Sequence, residues 1–237
     1  CLSTEQKSFM AQSPLDRYYA LTGDQYRMSS TRRERVLSLV DNALRTFHGS
    51  RASLLDIGIG SAEIANHCRR RYTDDDVYLV GVDLAEHLVR KYAALYDQTF
   101  VLSVEEEGWA SSLERTFDVI VASELIEHLF RPDVFLSTVG SLLSKKGILI
   151  LSTPNLLLWS QRVKFLLGRH RYSEFGVFEW GHIHLFSWGF LKELTERSGF
   201  DIIATNHLLH PNVLNPLHRV LPPGLFAFQF IVALRKR

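Results

Sequence analysis

The chain has 237 residues, room for one α/β domain with extensions or for two small domains. Its 27 Lys and Arg against 26 Asp and Glu, with 46% hydrophobic residues, exclude a disordered chain and disfavour a protein living on nucleic-acid phosphates. Two cysteines, Cys1 and Cys68, exclude a disulfide framework or a Cys-rich zinc site and point to a reducing, cytoplasmic setting.

The N-terminal stretch CLSTEQKSFMAQ has no apolar core segment, so no secretory signal is expected within it. The first fifty residues read as helical, with Thr31 capping a helix, Glu34 three positions on, and Val36, Leu37, Leu39, Val40 and Leu44 as its apolar face. Short apolar runs then begin, at 53–57, 77–83, 100–104, 117–123 and 147–153, separated by helical patterns at 61–72, 84–96 and 133–144. Continuous apolar strands alternating with helices predict a parallel sheet covered on both faces. The apolar stretch 134–159 is cut by Lys145, Lys146 and Pro154, so it reads as helix, turn and strand, not as a membrane span. An irregular aromatic and basic segment, 156–186, precedes a helix at 187–197 stopped by Gly199, and two strands at 200–208 and 225–236. The expectation is a doubly wound, mostly parallel seven-stranded α/β sheet in a single domain. Its parts are a helical extension (1–50), a cofactor-binding core (51–153), an acceptor-side insertion (154–186) and a last helix with two strands (187–237).

Leu54-Leu55-Asp56-Ile57-Gly58-Ile59-Gly60-Ser61-Ala62 runs from a strand through a glycine-rich turn into a helix, where glycine lets backbone approach a ligand closely. Asp83 ends the second strand 23 residues after Gly60, a spacing that suits a carboxylate accepting hydrogen bonds from ribose hydroxyls. Glu63 stands where a dinucleotide pyrophosphate would need positive potential, and Asp56 leads the turn; both disfavour a phosphate ligand and suit a cation.

Asp-x-Gly-x-Gly resembles the S-adenosylmethionine site of class I, Rossmann-like methyltransferases. Phe117 to Glu124 is similar to the fourth-strand motif of that family, and Leu143 to Ile150 to its turn before strand five, with Lys146 in place of a glycine. The resemblance implies that Asp56, Gly58 and Gly60 line the methionine end, that Asp83 holds the ribose with Leu84 against the adenine, and that Ser123 and Glu124 close the pocket. It also implies an adenine contact after strand three, which falls near Val104 or Glu105, and it makes Ala62 the replacement of a common third glycine.

Glu124-Leu125-Ile126-Glu127-His128, if helical, sets Glu124, Glu127 and His128 on one face, where they suit a divalent metal. That pattern resembles the metal motif of the RNA 2′-O-methyltransferases that act on small-RNA 3′ ends, with Gly176 where those enzymes have a further His, and His182 or His184 as replacements. The segment from Trp159 to Leu194 is instead similar to bacterial methyltransferases of the ubiquinone-biosynthesis and cell-envelope-glycan groups. The leading expectation is therefore metal-independent O-methylation of a small-molecule, glycan or lipid-precursor acceptor, with His182, then His128, as base and Glu127 as a further catalytic candidate. The metal-dependent RNA enzyme and a non-catalytic S-adenosylmethionine-binding subunit are the alternatives. The apolar and basic stretch 156–171 further points to peripheral contact with a membrane.

Overall fold

The computed structural model describes residues 30–47, 49–173 and 177–237. Most of the helical extension expected before Ser30, and Glu174, Phe175 and Gly176 of the insertion, lie outside the described residues.

Helix α1 (Ser30–Leu44) buries Val36, Leu37, Leu39, Val40 and Leu44 as its periodicity requires, joined by Ala43. Thr31 lies within this helix and is not its cap. Strands β1 (Ala52–Ile57), β2 (Val77–Asp83), β3 (Gln98–Val101), β4 (Phe117–Ser123) and β5 (Leu143–Pro154) are parallel and are linked by α2 (Glu63–Arg71), α3 (Glu86–Tyr92) and α4 (Pro132–Leu142). After α5 (Trp159–Leu166) and α6 (Trp188–Arg197) come β6 (Phe200–Thr205), β7 (Leu208–Leu209), α7 (Pro223–Phe226) and β8 (Ala227–Lys236). The sheet runs β3-β2-β1-β4-β5-β8-β6, with β8 antiparallel to both neighbours and the two-residue β7 pairing β8. Among the described residues it therefore has eight strands where seven are expected. The run 200–208 splits because Asn206 and His207 leave the ladder after a bulge at Ile202/Ala204.

Alternate residues of each strand face opposite layers, and each layer is a separate apolar cluster. Leu55, Ile57, Val80, Ile120, Leu149 and Val232 pack against Trp109, Phe135, Leu136 and Leu191. Leu54, Leu79, Val119, Val121, Ile150 and Ile231 pack against Val36, Val40, Ile64 and Cys68 of α1 and α2. Burying both faces explains why the strands read as unbroken apolar runs. Strand β3 ends at Val101, short of the expected 104, because its sole partner β2 ends at Asp83, opposite Val101.

Two details of these layers matter for the site. A side chain at Gly81 would place its Cβ 2.9 Å from Ile59 Cδ1 and from the Tyr96 ring, so glycine there makes room for Tyr96 to reach the sheet. His207 is buried against Trp188 and Phe230, and its Nδ1 accepts the Ile231 N–H at 3.2 Å. Burial pushes its imidazole down to about 4. Because an unfolded histidine protonates near 6.5, the neutral ring's contribution is present above that value and is lost as pH falls toward 4. The loss should reach up to roughly 1.4 kcal/mol per pH unit. Denaturant melts of the wild type and His207→Leu should show their stability difference narrowing on acidification; a constant difference would contradict the linkage.

Candidate active site

The chain order reverses direction between β1 and β4, so the crevice at their carboxyl ends is where an open α/β sheet takes its ligand. The turn after β1 is built on left-handed backbone at Gly58 (φ 83°), Gly60 (φ 48°) and Ala62 (φ 53°). The first two positions suit glycine; at Ala62 the conformation costs roughly 1–2 kcal/mol. Gly58 is exposed at the mouth of the crevice. Asp83 braces the turn: Oδ2 accepts the Gly60 N–H at 3.2 Å and Oδ1 the Ala85 N–H at 2.8 Å. Burial raises its carboxyl above the ordinary value. Leu84 beside it is half-buried.

Asp56 sits deeper than the motif implies. It is buried beneath the turn, with Oδ2 accepting the Tyr96 hydroxyl at 2.7 Å, and burial pushes it up to about 7. Tyr96 belongs to no motif; the glycine at position 81 was its one trace in the sequence. Val104 lies in a turn beyond β3, half-buried against the core.

The stretch from Glu124 to His128 is not an α-helix. Glu124 is left-handed (φ 55°) and only Ile126–His128 make a 3₁₀ turn. Leu129 is already extended (φ −86°, ψ 140°), so the turn ends at His128. The expected face of Glu124, Glu127 and His128 therefore does not form. Glu124 Oε2 pairs instead with Arg32 Nη1 of α1 at 3.0 Å, and Ser152 Oγ donates to Oε1 at 3.0 Å. The Ser152 and Ser123 hydroxyls are 2.8 Å apart, which ties the ends of β4 and β5 together at the crevice. Neither Arg32 nor Ser152 carries a motif signal.

The structure brings Glu127, His128 and His182 together. The Glu127 carbonyl accepts the N–H groups of Ile183 (2.8 Å) and His184 (2.9 Å), clamping the post-β5 segment onto the 3₁₀ turn. His128 Nδ1 lies 3.0 Å from the Gly181 carbonyl and His182 Nδ1 2.9 Å from the Val177 carbonyl. An acceptor there puts the proton on Nδ1 in both rings and leaves Nε2 as the basic or ligating atom. The ring centroids are 4.8 Å apart. Burial pushes His128 down to about 3. The Glu127 side chain is buried, neither carboxyl oxygen has a hydrogen-bond partner, and burial together with the Glu124 charge raises it well above the carboxylate range. One ligand atom from each of the three residues lies within 4.8 Å of the others, a set that exchanges the expected Glu124 for His182. Glu179 Oε2 approaches His182 Nε2 at 3.9 Å, a neighbour that sequence spacing did not single out. His184 lies apart, with Nε2 against the Phe130 carbonyl.

This sheet order, with an antiparallel strand inserted beside β5 and a glycine turn flanked by carboxylates, defines a Rossmann-like α/β fold with its crevice at the β1 and β4 carboxyl ends. Residues 28–205 match the methyltransferase domain family, and the chain belongs to that family. It is 32% identical over 116 residues to the ubiquinone biosynthesis O-methyltransferase of Azorhizobium caulinodans, a match covering 48% of this chain and 44% of that protein. The chain thus spans less than half the length of the curated relatives it matches. Among solved structures, a SAM-dependent methyltransferase from Archaeoglobus fulgidus shares the fold with a TM-score of 0.59 at 19% identity, covering 92% of this chain and 100% of that one. The mycolic acid cyclopropane synthase CmaA1, complexed with SAH and CTAB, superposes with a TM-score of 0.58 at 18% identity, covering 84% of each chain.

The crevice fits S-adenosylmethionine by its own chemistry. Residues 56–63 include Asp56 and Glu63 and no basic side chain, which favours a sulfonium cation over a phosphate. Asp83, although it already accepts two backbone N–H groups, retains acceptor capacity for ribose hydroxyls at the end of β2.

Proposed function

We propose that the protein O-methylates a hydroxyl of a small-molecule, glycan or lipid-precursor acceptor in the cytoplasm, with His182 as the base. Asp83 and Leu84 would take the adenosine, and Gly58, Gly60, Ser123 and Glu124 would surround the methionine end; Asp56 acts on the turn from beneath. The cofactor, when bound, supplies an electrophilic methyl group on a good leaving group. What remains for the chain is to hold the acceptor oxygen in line and take its proton, and alignment alone is worth roughly 7–11 kcal/mol. The observation that carries this reading is the contact of His182 Nδ1 with the Val177 carbonyl, which leaves Nε2 as the basic atom, in a cluster where Glu127, His128 and His182 converge within 4.8 Å. His128, held neutral to about pH 3 by burial, is the weaker base and serves better as a wall and hydrogen-bond partner. The names of the curated relatives support an oxygen acceptor. The test is methyl transfer from labelled cofactor to a panel of phenols, catechols and lipid-linked glycans, with the product analysed for a methyl ether.

A second reading has its own support. Buried Glu127 with two unpartnered oxygens, beside two imidazoles with ligating Nε2 atoms, has the donor chemistry of a site for a divalent cation such as Mg²⁺ or Mn²⁺. Turnover is expected to survive EDTA if His182 is the base. Loss with EDTA and recovery with Mn²⁺, together with transfer to an RNA 3′ end in place of the small acceptors, would establish the metal-dependent reading instead.

A further inference from the structure

Helix α5 has no buried residue, although it follows β5 directly at the acceptor side of the sheet. Its apolar residues Trp159, Val163 and Leu166, continued by Leu167, recur at i, i+4, i+7 and i+8, which places them on one stripe. In a globular protein such a stripe faces the core. Here every member is exposed, Leu166 at 87%. The helix is attached to the body by other contacts: Trp159 Nε1 donates to the His210 carbonyl at 3.1 Å, and Arg162 Nη2 to the Gly224 carbonyl at 3.3 Å. Those bonds join it to the loop 210–224, whose Val213 and Val220 are 79% and 80% exposed.

The two segments that form this surface are basic, although Glu34 of α1 lies beside the loop at Asn215, Pro216 and His218. Residues 156–173 contain Arg162, Lys164, Arg169 and Arg171 and no acidic residue, and no acidic residue follows Asp201. Basic side chains flanking an outward apolar stripe match an anionic bilayer, whose headgroups take the cations while the acyl boundary takes Leu and Trp. A soluble polyanion would leave the leucines in water. Among the described residues no helix is long and apolar enough to cross a membrane, so the contact is peripheral.

We propose that α5 and the adjoining 210–224 loop form a docking surface for an anionic lipid bilayer. The proposal rests on this surface alone and stands whether or not the acceptor is a lipid. The test is co-sedimentation of the full chain with vesicles of phosphatidylglycerol and phosphatidylethanolamine, with pure phosphatidylcholine vesicles beside them. Binding is expected to the anionic vesicles only, to weaken roughly fivefold for each of Lys164→Gln and Arg169→Gln, and to weaken at least about tenfold in Leu166→Ser/Leu167→Ser. Both leucines are exposed, and an unchanged thermal melt would confirm that the double variant is folded. Absence of binding to anionic vesicles, equal binding to phosphatidylcholine, or anionic binding indifferent to the leucines would each overturn the proposal. So would a single-stranded RNA that binds as tightly as the vesicles and does so regardless of the leucines.

Discussion

Replacing His182 with asparagine is expected to lower kcat by about 10²–10⁴-fold, the usual contribution of a positioned base, with little change in affinity for S-adenosylmethionine. Asparagine is the informative replacement because its amide can still donate to the Val177 carbonyl, which His182 Nδ1 now approaches at 2.9 Å. The segment 177–184 should therefore stay clamped on the Glu127 carbonyl, and the loss can be assigned to the missing Nε2. Steady-state kinetics with a methylated acceptor, alongside calorimetry with the cofactor, separate the two quantities. Turnover within a few-fold of wild type would remove His182 from the chemistry and leave it a structural histidine, satisfied by its carbonyl partner.

The second large effect concerns the other side of the crevice. Asp83→Ala should weaken S-adenosylmethionine binding by roughly 10–100-fold, the cost of losing a charged acceptor of one or two hydrogen bonds. Part of that loss comes from the turn, because Asp83 also holds the Gly60 and Ala85 N–H groups. Asp83→Asn keeps one acceptor oxygen and should fall between the two. With saturating cofactor, kcat should recover far more in Asp83→Ala than in His182→Asn. Equal affinity in wild type and Asp83→Ala would show that the ribose is held elsewhere.

The glycine turn and strand-end carboxylate proposed to hold the cofactor were legible in the sequence because their signals are local. A strand, a turn with two left-handed glycines and a carboxylate closing the next strand each follow from a few consecutive residues. The acceptor half was legible only in part because its contacts are long-range. Glu127 and His182 are 55 positions apart, and their meeting depends on Glu127's carbonyl capturing two N–H groups from the post-β5 segment. Periodicity also misled at Glu124: spacing alone allows a helical face, but the left-handed backbone at Glu124 breaks it. Tyr96, Arg32 and Ser152 escaped notice because each is defined by its partner (Asp56 or Glu124), and no sequence pattern announces such pairs. The outer strands were misjudged for a different reason: the ends of β3 and the β6–β7 break are set by where the neighbouring strand stops pairing.

Burial gives the two halves different electrostatic characters. Beneath the turn, Asp56 is raised to about 7 and its proton equilibrium is tied to the Tyr96 hydroxyl. Across the crevice, Glu124 is paired directly with Arg32, whereas Glu127, three residues on, feels Arg32 only at a distance, and burial holds it toward its neutral form. A carboxyl held toward its neutral form beside the neutral His128 imidazole suits a hydroxyl acceptor that arrives uncharged and must surrender a proton. The same set binds a cation only if Glu127 ionises, so the two readings of the site differ in a measurable way.

The most direct test of the account is the identity of the atom that receives the methyl group. With methyl-labelled S-adenosylmethionine, metal-free wild-type protein and a panel of phenolic and lipid-linked hydroxyl acceptors, mass spectrometry of the product should find the label in a methyl ether, and His182→Asn should suppress its formation. Label on nitrogen or carbon, or transfer that requires added Mn²⁺ and an RNA 3′ end, would contradict it.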